Sequence, residues 1–211
     1  NFRQYYKADM GMLDKYAISL MNLCGTAILL CAGLSRFIFP LISLEGRKFW
    51  ILGLTPVSRD QLLWGKFVFA ATGSLLVAEG LILVTDLLLG LPPEGLLLHA
   101  VAVGVVAVGL SALNVGLGAY LPNFRETDPS KIVVGFGGTV NMVTGLAFLV
   151  AVVGVMVVPF HVVHLAKNAT GGLAKVNPWV FAGIPTGLAI GAVAVFVPLR
   201  AGARALRRME F

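Results

Sequence analysis

Five long apolar runs constrain this chain more than anything else in it. They fall at about residues 16–42, 67–89, 96–121, 132–158 and 179–199. A helix needs about 20 predominantly apolar residues to cross the hydrocarbon of a bilayer, and each run is long enough. Membrane-spanning strands would alternate polar and apolar residues in segments of about ten; these runs are continuous. The sequence therefore predicts an all-α integral membrane protein, a single transmembrane domain over residues 1–211 with five spans. Composition agrees: 12% of residues are charged and 58% hydrophobic, whereas a soluble domain carries roughly 25% charged residues.

The formal charge of +6 would suggest nucleic acid in a soluble protein. Here the basic residues fall between the apolar runs, which marks topology and contact with lipid headgroups instead, and excludes nucleic acid as a partner. Residues 43–66 hold Arg47, Lys48, Arg59 and Lys66; the third connection holds Arg125 and Lys131; the tail, residues 200–211, holds Arg200, Arg204, Arg207 and Arg208. The tight turn GLPPEG at residues 90–95 has no basic residue. This bias predicts a multi-pass protein of the cell membrane, with residues 43–66 and the C-terminal tail cytoplasmic and residues 159–178 forming an external loop. An external start at Asn1, with neither Met nor a signal peptide, predicts a fragment that lacks one upstream span.

Residues 43–66 are neither apolar enough to cross a membrane nor polar enough for a plain loop. Glu45, Arg47 and Lys48 precede the apolar Phe49, Trp50, Ile51 and Leu52. A short helix of that kind lies along the membrane with its charges toward headgroups or a partner. Pro56 disfavours helix at Thr55, and Ser58 with Gln61 three residues on forms the pattern of a capping box. The segment reads as helix, elbow, helix. A linker that only anchors the bundle is the simpler reading of the same pattern.

At these residues the chain resembles the permease subunits of type-2 ABC exporters. The matching pieces are Glu45-Gly46-Arg47, Trp50, Thr55-Pro56-Val57-Ser58-Arg59 and Gly65-Lys66. Downstream, Tyr120-Leu121-Pro122-Asn123-Phe124, Asp128-Pro129-Ser130-Lys131 and Gly135-Phe136-Gly137-Gly138-Thr139 are similar to the ABC exporter permeases of bacteria and archaea. The resemblance implies a permease subunit, itself no enzyme, that forms the translocation path. A coupling segment with Glu45, Gly46, Arg47, Lys48, Trp50, Pro56, Ser58 and Arg59 would dock on an ABC ATPase subunit. It also implies a second permease half, either a homodimer partner or the rest of a longer chain, and a six-span half whose first helix is missing here. No cofactor is expected on this chain, and ATP and magnesium are expected on the partner ATPase. A P-loop reads G-x-x-x-x-G-K-[ST]; Gly65-Lys66 is followed by Phe67, and no lysine follows the glycines of residues 135–139.

Two acids interrupt the second span. Glu79 lies near its centre and Asp86 seven residues later on the same face, and each would cost roughly 2.5–3.5 kcal/mol facing lipid at mid-membrane. Either lines a path or pairs with another helix, and a proton-coupled secondary transporter using both is the alternative function; a non-transporting membrane scaffold is another. Asn114 and Asn141 are expected to hydrogen-bond between helices. Gly183, Gly187 and Gly191 recur every four residues and predict a close-packed helix face, with a kink near Pro185 or Pro198. His161 and His164 lack the glutamate of a zinc-protease H-E-x-x-H pair and read as interface histidines. Cys24 and Cys31, two turns apart on one helix, read as packing residues.

Overall fold

The computed structural model describes residues 12–46, 58–169 and 182–208. Among them are eight helices: α1 Met12–Phe37, α2 Leu41–Glu45, α3 Arg59–Leu89, α4 Pro93–Tyr120, α5 Pro129–Val134, α6 Phe136–Met156, α7 Val158–Ala169 and α8 Gly183–Arg208. No strand occurs among the described residues. Five helical stretches are long and apolar enough to cross a membrane: Lys15–Glu45, Arg59–Leu89, Pro93–Tyr120, Phe136–His164 and Gly183–Arg208.

Local chemistry sets the helix ends. Ser58 caps α3: its Oγ accepts from the Gln61 N–H at 3.2 Å, and the Gln61 Oε1 accepts from the Ser58 N–H at 2.8 Å, so two otherwise orphaned donors are paired. Gly90 ends α3 in the left-handed region at φ 66°, a conformation glycine adopts without steric cost. Pro93 then opens α4, where its missing N–H is no loss. The result is a tight hairpin.

The structure corrects several boundaries. The first apolar run is not one rod. Pro40 lacks the N–H that would continue it, the Ile38 and Phe39 amides both turn back to the Leu34 carbonyl, and α2 starts afresh. The run at 132–158 is broken at Gly135, whose backbone is extended with ψ 173°, dividing α5 from α6. Part of the expected external loop is helical: α7 occupies Val158–Ala169 because Phe160 and His161 are buried there. The last helix continues past Leu199 to Arg208, since Gly202 and Leu206 still find packing partners and stay buried. It also runs through Pro198 without interruption. Of the amphipathic segment expected between the first two spans, residues 43–66, residues 47–57 lie outside the described residues.

The bundle is built around α4. Of its most apolar window 61% is buried, against 28% for α3 and for α8, so α4 is the central stave and the other two face outward. Large apolar side chains on α3 are exposed, Phe69, Leu76 and Leu88 among them, as a lipid-facing surface requires. On α8 the stripe of Gly183, Gly187 and Gly191 turns inward. A Cβ at Gly183 would overlap the Val155 carbonyl, one at Gly187 the Met156 side chain, and one at Gly191 the Val105 side chain. Small residues thus let α8 close on α6 and α4.

Candidate functional site

Polar side chains gather at three depths. At the basic end, the Lys66 Nζ donates to the Glu45 Oε1 at 2.5 Å and ties the end of α2 to α3. Gly46 lies under Phe124, whose ring a Cβ would overlap. The Asn123 N–H donates to the Ser43 Oγ at 3.0 Å. The Arg59 guanidinium donates to the Leu206 carbonyl at 2.8 Å, satisfying one of the free acceptors at the end of α8. Asp60 pairs with Arg207, whose Nε donates to its Oδ1 at 3.0 Å. Of the residues the sequence groups there, Glu45, Gly46, Ser58 and Arg59 share this end. Arg47, Lys48, Trp50 and Pro56 lie outside the described residues.

In the middle, the Asn141 Nδ2 donates to the Asn114 Oδ1 at 2.8 Å and to the Ser35 Oγ at 3.1 Å. The Asn114 Nδ2 donates to the Leu110 carbonyl at 2.7 Å. One network therefore joins α1, α4 and α6. The Ser74 and Ser111 hydroxyls meet at 2.9 Å between α3 and α4. Glu79 stands apart from both. It is half-buried beside Gly104, where an added Cβ would come within 3.3 Å of its Oε1, and no hydrogen bond or ion pair engages it among the described residues.

At the opposite end Asp86, close to the end of α3, is fully buried within the protein. Its Oδ2 lies 2.6 Å from the His99 Nδ1 across the GLPPEG hairpin, and the Ser19 Oγ lies 3.4 Å from the same nitrogen. The His99 ring stacks on His161, centroids 5.1 Å apart and planes 10° from parallel. The His161 Nδ1 faces the Val157 carbonyl at 3.0 Å. Tyr16, Phe160 and the half-buried His164 cover the group. His99 is the member of this buried group that the sequence reading missed. The signal was the hairpin itself, for Pro92 and Pro93 lie midway between the two partners and bring them level. Among the described residues no cluster of three or more His, Cys, Asp or Glu side chains is placed to hold a metal ion.

A nucleotide phosphate needs consecutive free backbone N–H groups and a lysine at a helix start. Gly65 lies inside α3 and Lys66 is engaged by Glu45. The Gly135 amide is bonded to the Lys131 carbonyl at 3.0 Å, and Gly138 abuts Val133. Neither glycine group fits a phosphate.

No curated protein and no solved structure matches the chain. One family model, described as "Putative ATP-binding cassette", matches residues 6–211. It agrees with the ABC relationship drawn from the motifs and corrects the role drawn from it. The description points to the ATP-binding component, which overturns the expectation of a permease subunit coupled to a separate ATPase. It also overturns the expectation that the chain is no enzyme, and it favours neither the proton-driven nor the scaffolding alternative. Matched over nearly its whole length while folding as an all-helical bundle, the chain belongs to this ATP-binding-cassette family.

Proposed function

We propose that the chain is a membrane-embedded component of an ATP-binding-cassette transport system in the cell membrane, with its basic end and C-terminus cytoplasmic. The observation that carries this reading is the family match over residues 6–211 falling on five helices long and apolar enough to cross a bilayer. The excess of Lys and Arg at one end supports the orientation. ATP and magnesium are the cofactors of the system in this reading. Its partners are the bilayer and a second bundle, supplied by another copy or by the rest of a longer chain.

The basic end is where such a system would register nucleotide. There Glu45, Lys66, Arg59, Asp60 and Arg207 tie α2, α3 and α8 together through charged contacts, and these are broken and remade more readily than the apolar packing around α4. The test uses a single cysteine at the exposed position 208, beside Arg207 and outside these contacts, with Cys24 and Cys31 replaced, in sealed membrane vesicles. ATP with magnesium is expected to change its rate of maleimide labelling severalfold, and ADP is not. An ATP-independent rate in correctly inserted protein would overturn the proposal. Labelling of the purified chain with azido-ATP then decides whether nucleotide sits on this polypeptide.

A further inference from the structure

The histidine group at the other end of the bundle plays no part in that reading and is too fully built to be incidental. Asp86, His99 and His161 come from three helices, α3, α4 and α7, and are at most 1% exposed. Each has a buried polar atom with no hydrogen-bond partner among the described residues: Asp86 Oδ1, His99 Nε2 and His161 Nε2. A bare carboxylate in so dry a place is costly unless a proton or a cation compensates it. Here the compensation has a single route, through Oδ2 to the His99 Nδ1 at 2.6 Å. The His161 Nδ1–H donates to the Val157 carbonyl, which leaves the His161 Nε2 a lone pair. The two rings are nearly parallel, so their in-plane lone pairs do not converge, and a metal ion has no common point to occupy.

We propose that Asp86, His99 and His161 form a proton-binding site that holds one proton between the carboxylate and the His99 imidazole and refuses a second while the rings remain stacked. With one proton the pair is neutral overall and suits its surroundings. A second would put two imidazolium rings face to face 5.1 Å apart, with one carboxylate, at the edge of His99, to offset both. That arrangement is relieved by parting the two rings, which belong to α4 and α7. Among the described residues the other ionisable groups facing the site are few. From α1 come Lys15, its Nζ 4.0 Å from a Cβ position at Gly90, and Tyr16. From α4 comes Glu94, which acts on Tyr16; from α7 comes His164. Of the described residues of α8, the apolar Ile184 packs here.

The inference is independent of the transporter reading, and its test involves no nucleotide. The full chain, labelled with ¹⁵N at its 3 histidines and held in phosphatidylcholine bilayers, is followed by solid-state NMR from about pH 8 to about pH 5. In the unmutated protein a shared proton is expected on the His99 Nδ1, with His99 and His161 never both charged while their ring contact persists. Asp86→Asn should weaken proton binding at His99 at least tenfold and change the titration of His161 as well, although Asp86 does not bond to it. His164→Gln should leave both within twofold. Two stacked, fully charged rings would overturn the proposal, as would an Asp86→Asn protein whose His99 titrates unchanged. Broadening of the His99 and His161 signals by added nickel ions would overturn it in favour of a metal site. Because the first reading needs no mutation, a variant that fails to fold does not spare the idea.

Discussion

Asn141 shows how a residue's surroundings decide its value. Its amide serves Asn114 and Ser35 at once, yet hydrogen bonds between membrane helices average about 0.6 kcal/mol because unfolded helices also find partners in the bilayer. Asn141→Ala should therefore lower stability by about 1 kcal/mol, read as a shifted midpoint in detergent-induced unfolding. Gly187→Leu is expected to be worse, by about 2 kcal/mol or more, because its side chain would occupy the space of Met156; the same unfolding curve ranks the two. Residue types in this chain were easier to read than their partners. That Asn114 and Asn141 would bond between helices was legible from their setting in apolar runs. That Asp86 would be buried was not, since a position near the end of a span says nothing of what closes over it. His99 and α7 do so, and α7 begins where the apolar run thins out.

At the scale of elements, the five spans were legible because hydropathy averages over about 20 residues, and that same averaging hides short events. Pro40 and Gly135 interrupt helices inside runs that remain apolar throughout, and a long window passes over both. The extension of α8 to Arg208 was hidden by its arginines, which read as a cytoplasmic tail although Leu206 on the same turns is buried. The start of α3 was legible to the residue because Ser58 and Gln61 carry it in their side chains. Ser58→Ala should cost about 1 kcal/mol and free the first turn of α3, visible as faster amide exchange over residues 59–62 with little change beyond. Lys66→Met tests the other tie at this end. Lys66 is the more buried partner, with its side chain 12% exposed against 38% for Glu45, so its loss should release α2 from α3 while the apolar replacement keeps the packing of the stem. A spin-label pair across α2 and α3 would report a broader distance distribution than in the unmutated protein, and an unchanged one would show that the pair holds nothing.

For the molecule as a whole, the likeness to ABC proteins was legible in the motifs, but the role within such a system was not. Motifs at one end of a bundle describe a surface, and several components of a machine can share surfaces of the same kind. The central position of α4 carries a further consequence. In the bilayer setting proposed above, α4 would present a smaller share of its length to lipid than α3 and α8 would. Changes in bilayer thickness or lateral pressure would therefore act more strongly on the outer staves than on the axle. A membrane around this protein would grip its rim more firmly than its centre.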